Sequence, residues 1–236
     1  MHKTKGFTLA EMLIVLIIVG LIAAIAIPEM FKDYQKRYII ANLTRYYRDI
    51  NMLTQMQGIE GVEISTKTVD ASGKKKYTTD EEAMQYFAPL HPTSVKNPEI
   101  YYKLLNGEDC EFRICKTNSR DTSANSLLLR DGTYIHVSTH AEDIDYKAFA
   151  IDANGKKGPN VLGKDLFAFV IQRDYGLTPL GYQSGGRGSE RFGEYNRAVV
   201  KSNTQYACNR NAPDAGYWCT ALLLMDGWQF KDDYPW

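Results

Sequence analysis

The distribution of apolar residues along this chain changes character twice. From Met12 to Pro28 no residue is charged, and the run extends back to Phe7 with Glu11 as its one charge. As a helix rising about 1.5 Å per residue, Phe7–Ile27 spans roughly 30 Å, the thickness of a bilayer core. Past Pro28 the apolar residues become periodic. Ile39, Leu43, Tyr46, Ile50 and Leu53 follow at spacings of 4, 3, 4 and 3, which is one face of an amphipathic helix. Lys32, Asp33, Lys36, Arg37, Arg45, Arg48 and Asp49 supply the polar remainder, and Gly58 is a suitable stop. The pattern predicts one long helix from about Phe7 to Gln57. Gly20 and Pro28 should bend or loosen it, because an interior proline costs about 3 kcal/mol.

After Gly58 the signals become those of strands and turns. Thr79-x-x-Glu82 is a capping-box pattern ahead of Ala83–Phe87, so a short helix is expected to run to about Ala88 and stop at Pro89. Ser126–Arg130 and Thr133–Val137 are apolar runs joined by Asp131-Gly132, a hairpin signal. Tyr146–Ile151 and Asp165–Gln172 are further strands, separated by a turn-rich loop from Asp152 to Asn160. Thr220–Met225 fits helix or strand, and Trp228, Phe230, Tyr234 and Trp236 should pack onto the domain. The fold class is therefore α+β: a long N-terminal helix packed on an antiparallel β-sheet head. Its segments are an apolar span over 7–28, an amphipathic continuation over 29–57 and a globular head over 58–236.

Composition narrows the function. Of 236 residues, 44% are hydrophobic, which excludes global disorder. The negative mean hydropathy excludes a polytopic membrane protein. Equal numbers of basic and acidic residues, 28 of each, argue against a nucleic-acid binder. Lys3 and Lys5 precede the span and no acid does until Glu11, so the N-terminus belongs on the cytoplasmic side and the head outside. Glu11 needs a partner or a function, since a carboxylate at the centre of a membrane helix costs about 2.5–3.5 kcal/mol.

Lys5-Gly6-Phe7-Thr8-Leu9-Ala10-Glu11, followed by the unbroken apolar run, resembles the type IV prepilin and pseudopilin signature, a likeness covering roughly the first 55 residues. The resemblance implies a leader of residues 1–6, cleavage between Gly6 and Phe7, and N-methylation of Phe7. It implies an assembly role for Glu11, whose carboxylate would meet the Phe7 amine of a neighbouring subunit, and a helix weakened at Gly20 and Pro28. The architecture it implies is the same helix-on-sheet arrangement. Implied partners are other pilin or pseudopilin subunits, a prepilin peptidase/methyltransferase, an inner-membrane assembly platform and, before assembly, membrane lipid. The location would be the bacterial inner membrane, then a pilus or pseudopilus. Loss of Lys3 and Lys5 leaves 26 basic against 28 acidic side chains. The implied role is a structural filament subunit with no enzymatic activity. A minor pseudopilin of a type II secretion system, or a filament-tip DNA-binding or adhesive subunit, are the alternatives. Lys74–Lys76 and the Gly185–Gly188 loop are the places to look for tip binding.

Four cysteines in an exported head lie in an oxidising space and allow three connectivities. The cost of loop closure favours the local pairs Cys110–Cys115 and Cys208–Cys219, and the second resembles in place the C-terminal disulfide of many pilins. His136 and His140 have a spacing that ligands use on a helix, but they start in a predicted strand, where four residues span about 13 Å. Asp152, Asn154, Asn160 and Asp165 form a weak calcium candidate, since oxygen ligands around a turn suit Ca²⁺ and some pseudopilins bind it in a head loop; their spacing departs from the EF-hand pattern, and a plain turn is the competing reading. No other cofactor is expected. The sequence holds no G-x-S-x-G, Walker A or H-E-x-x-H motif.

Overall fold

A computed structural model describes residues 6, 8–60, 68–69, 75–76, 86–95, 98–115, 124–138, 146–172, 176–182, 196–202 and 204–236. The chain falls into two compact units, Met1–Tyr38 and Ile39–Trp236.

Helix α1 runs Leu9–Glu60. Its N-terminal part is apolar all round and buries none of that surface: Met12 through Val19 are each at least 51% exposed, as are Leu21, Ile22 and Ile25. The helix continues through Gly20 and Pro28 as one element, as expected of a single long helix. One lost N–H is tolerated where Ala23, Ala24, Ala26 and Met30 favour helix on either side. It also passes Gly58 by two residues.

The second unit is built on an antiparallel meander. Strands β3 (Ser94–Val95), β4 (Ala124–Leu128), β5 (Tyr134–Ser138), β6 (Tyr146–Asp152), β7 (Leu166–Gln172) and β8 (Gly176–Pro179) pair in chain order. A separate two-stranded ribbon joins β1 (Thr68–Val69) to β2 (Lys75–Lys76). The predicted hairpin is present, with Leu129 and Thr133 closing the turn around Asp131-Gly132. The short edge strands β3 and β8 carry no strong periodic signal and were not expected. Tyr86 is helical and Phe87 a turn, and Pro89 then sits in a 3₁₀ turn over Ala88–Leu90, where its fixed φ suits a first turn; residues 83–85 of the expected helix lie outside the described residues. The Thr79–Glu82 capping pattern lies outside the described residues.

Strand alternation divides the sheet into two faces. Leu127, Ile135, Val137, Phe149, Ile151, Phe167 and Phe169 form one, all at most 2% exposed. The amphipathic part of α1 lies on this face. Ile39, Leu43, Tyr46 and Ile50 are buried as their spacing requires, Tyr47 stacks on Phe169 at 6.0 Å, and Asn42 Nδ2 donates to the Ala153 carbonyl at 2.9 Å. The other face carries Ser126, His136, Ala150, Asp152, Leu166 and Ala168. In the C-terminal part, α2 (Arg197–Val200) packs on α3 (Cys219–Met225), and α3 packs on β7 and β8. Thr220 Oγ1 accepts the Ala168 N–H at 3.0 Å. Thr220–Met225 is thus resolved as helix, and Leu222 and Leu223 are its core-facing residues.

Candidate assembly site and the polar sites of the head

The first turn of α1 is held by its own sequence. Thr8 N–H and Thr8 Oγ1–H both donate to Glu11 Oε2 at 2.8 Å, and Glu11 N–H donates back to Thr8 Oγ1 at 3.2 Å. This is a reciprocal capping box, which satisfies two of the otherwise unpaired N–H groups at a helix start. The T-x-x-E signal is legible in Thr8-Leu-Ala-Glu11, although Glu11 alone attracts notice on a first reading. Gly6 is exposed and open, with no atom within 4 Å of where a Cβ would stand. Phe7 lies outside the described residues. Gly20 is likewise open. What the arrangement offers is an apolar, unburied helical rod with one exposed carboxylate in its first turn.

The head contains polar chemistry of another kind. Ser126 and His136 are directly paired across β4 and β5, and Ala150 is the other neighbour of His136. These small neighbours leave room for the imidazole on a sheet face. Ser126 Oγ lies 2.7 Å from His136 Nδ1, Tyr102 Oη lies 2.8 Å from His136 Nε2, and Tyr102 Oη donates to Asp152 Oδ2 at 2.6 Å. All four side chains are buried, Tyr102 at 3% exposure and the rest at 0%. Burial pushes the His136 pKa down to about 3, so the ring is neutral at physiological pH. With Asp152 ionised, protons point from Ser126 through His136 and Tyr102 to the carboxylate. With Asp152 protonated, the whole chain reverses and every contact survives. Burial, then the nearby charge of Asp165, raises the Asp152 pKa, opposed by its bonds to Tyr102 and to the Asn154 and Gly155 N–H groups. With all four side chains buried, the constellation ties the sheet to the segment that carries Tyr102.

The loop after Asp152 gathers the calcium candidates. Asp152 Oδ1 accepts from Asn154 N at 3.3 Å and Gly155 N at 2.9 Å. Asp165 accepts from Asn160 N and Val161 N, each at 2.7 Å. Burial lifts Asp165 to about 6 against those N–H bonds. Asn154 Nδ2 donates to the Gly158 carbonyl at 3.1 Å, while the buried side-chain oxygens of Asn154 and Asn160 have no hydrogen-bond partner among the described residues. The structure therefore brings the four residues into one loop clasp whose carboxylates are occupied by the loop's own backbone. Among the described residues no group of three His, Cys, Asp or Glu side chains converges to hold a metal ion. His136 is buried in the chain above, and His140 lies outside the described residues, as do Lys74 and Gly185–Gly188.

Both disulfides of the head are local, Cys110–Cys115 and Cys208–Cys219, and no cysteine is free. The second lies under the loop: a Cβ on Gly163, at φ +89°, would stand 2.7 Å from Cys219 Sγ. The C-terminal tail is tied by ions. Arg197 forks onto Asp226 at 2.7 and 3.0 Å and onto Asp233 at 2.9 and 2.7 Å, Lys231 pairs with Asp226 at 2.8 Å, and Lys201 pairs with Asp233. The aromatic tail packs as expected, Trp228 lying 4.7 Å from Tyr47 and Phe230 lying 4.6 Å from Trp236. Tyr102, Ser126 and Arg197 carry no sequence signal, because their partners are between 10 and 50 residues away.

Comparison with known proteins matches the same two parts. A profile described as a family of unknown function, DUF6613, covers residues 29–236, which is most of the chain. The chain belongs to the DUF6613 family. Ahead of that region, residues 1–27 of this DUF6613 member match the prokaryotic N-terminal methylation motif, so the chain carries the type IV pilin signature. Two relatives, each named fimbrial protein and each from Pseudomonas aeruginosa, are 38% identical over 64 residues, 27% of this chain and 41% of theirs. The chain thus spans about two fifths of the length of these curated relatives. No solved structure matches it.

Proposed function

We propose that this chain is a structural subunit of a type IV pilus-like filament. In this reading the leader, residues 1–6, is removed after Gly6, Phe7 is N-methylated by the same peptidase, and the mature subunit assembles through α1. The observation that carries it is the contrast along one helix. Residues 39–50 bury their apolar face within the head, whereas Met12–Ile25 expose apolar residues at nearly every position and bury none of them. A surface of that extent is not left in water. It belongs first in lipid, with the Lys3/Lys5 end on the cytoplasmic side of the inner membrane and the head outside, and afterwards against the helices of other subunits. The methylation motif supports the processing steps.

The test is the mass of the N-terminus. Expressed with a prepilin peptidase, the protein should lose residues 1–6 and gain one methyl group on Phe7; without the peptidase it should stay whole. Cleavage after Ala23, Ala24 or Ala26, or no cleavage in either case, would overturn the reading. Electron microscopy of sheared surface fractions then separates a surface pilus from a secretion pseudopilus.

A further inference from the structure

We propose that the stretch of α1 just past the apolar span, Met30–Arg37, is an anchor for the bilayer surface: Met30, Phe31 and Tyr34 seat among the headgroups, while Lys32, Lys36 and Arg37 hold the phosphates of anionic phospholipid. This rests on the reading above, in which the span lies in lipid before assembly. Ile27, Phe31 and Tyr34 follow at spacings of 4 and 3, so the two rings continue one apolar face of the helix. Nothing in the subunit covers them. Met30 is 70% exposed, and Phe31 and Tyr34 are each 68% exposed. Tyr34 is held by a stack on Tyr38, with ring centroids 6.5 Å apart.

The chemistry changes abruptly at this point. No residue from Met12 to Pro28 is charged, and five of the next nine are: Glu29, Lys32, Asp33, Lys36 and Arg37. A helix that leaves hydrocarbon here enters a layer in which amphipathic rings and long cationic side chains are both at home, since each has an apolar body and a polar end. At 1.5 Å per residue, Phe31 and Tyr34 lie about 6 and 10 Å beyond Ile27 along the axis, within reach of a headgroup layer. The Cα–Cβ bonds of a helix tilt toward its N-terminus, so these side chains lean back toward the span. Lys32 and Arg37 are exposed and form no ion pair among the described residues. Both charges are therefore left for an outside partner. Cations outnumber acids in the stretch by three to two, and an anionic leaflet attracts basic residues placed within a Debye length of it. Phosphate supplies the missing counter-charge, and the acyl chains beneath it supply the apolar cover that Met30 and Phe31 lack.

The uncleaved full chain, one copy per nanodisc of phosphatidylcholine and phosphatidylglycerol in equal amounts, tests this by hydroxyl-radical footprinting. The chain carries its own standards. Met52 is 60% exposed and Tyr101 is 79% exposed, close to Met30 and Tyr34 in the protein alone. In the disc, oxidation should be roughly tenfold slower at Met30 than at Met52, and at Tyr34 than at Tyr101. Rates within about twofold in either pair overturn the proposal. Shielding that appears only when two copies share a disc assigns the face to a second copy and overturns it as well. The cations have a separate readout. Phospholipid that stays bound on extraction with mild detergent should be enriched in phosphatidylglycerol by about threefold over the disc, and the variant Lys32→Gln/Lys36→Gln/Arg37→Gln should lose most of that enrichment. Equal enrichment in wild type and variant overturns the lipid assignment. A chain that stays out of the disc, with Met12 oxidised as fast as Met52, would sink the reading of the span itself, a different result from an inserted chain whose Met30 and Tyr34 remain reactive.

Discussion

Tyr102→Phe should destabilise the head by about 3 kcal/mol. The hydroxyl is the only link between His136 Nε2, at 2.8 Å, and Asp152 Oδ2, at 2.6 Å. The phenylalanine ring keeps the volume and the edge contact with the imidazole at 5.5 Å, so no cavity arises. What remains is a polar deficit on both sides. A hydrogen bond to a charged group contributes about 1.5–3 kcal/mol, and a buried polar group left unpaired costs about 1–3 kcal/mol. Both partners are at 0% exposure, and the Asn154 and Gly155 N–H groups still hold the other Asp152 oxygen, so the lower half of the combined range applies. The assay is urea unfolding followed by tryptophan fluorescence, since all three tryptophans, Trp218, Trp228 and Trp236, lie in the head. With m of about 2 kcal/mol/M, the midpoint should fall by about 1.5 M. Tyr101→Phe is the control: Tyr101 is 79% exposed, and the midpoint should move by no more than about 0.3 M. If Tyr102→Phe behaved like that control, the buried chain would contribute nothing and the reasoning would fail.

Acid should act on the head through His136 in one sense and through the raised carboxyls of Asp152 and Asp165 in the other. The neutral His136, whose pKa falls from 6.5 to about 3 on folding, contributes stability that is present above 6.5 and lost as pH falls, about 2 kcal/mol between pH 7 and pH 5. Asp165, raised from 3.8 to about 6, contributes stability that is present at low pH and lost as pH rises through 6, so it returns about 1 kcal/mol over the same interval. Asp165→Asn should therefore make the loss from pH 7 to pH 5 steeper in urea unfolding; an unchanged slope would contradict the assignment. Replacing both Cys208 and Cys219 by alanine should cost about 3 kcal/mol, and replacing Cys110 and Cys115 about 2, because the bridges close separations of 11 and 5 residues. The reverse order in thermal denaturation would show that loop closure does not dominate. Arg197→Ala strips the fork from Asp226, whose side chain is 1% exposed, and should lower stability by about 1–2 kcal/mol, with Arg197→Lys restoring only part because it cannot reach both acids bidentately. Limited proteolysis should then cut first in the tail beyond Asp226, and an uncut tail would argue that its aromatic packing suffices.

The sequence by itself determined everything that depends on near neighbours in the chain. The apolar span, the buried stripe Ile39, Leu43, Tyr46 and Ile50, the hairpin at Asp131-Gly132 and the strands at 146 and 166 are local patterns of period and turn chemistry, and the structure has them where the pattern puts them. Residues 1–27, Glu11 among them, belong to the same class, since they match one contiguous motif. Pro28 and Gly58 lower helix propensity, but neighbouring residues carry α1 through Pro28, as the single long helix requires, and two residues past Gly58. Tertiary structure alone decided the rest. That Ser126, His136, Tyr102 and Asp152 join in one buried chain, that the Asp152–Asp165 loop spends its carboxylates on its own backbone, and that Arg197 gathers two acids from the C-terminal tail are facts of sheet register and packing. Hydrogen bonds and ion pairs are short-ranged and indifferent to sequence separation. A polar residue therefore shows its purpose only when the fold has brought its partner within reach, whereas hydrophobic periodicity declares itself within a few turns of the chain.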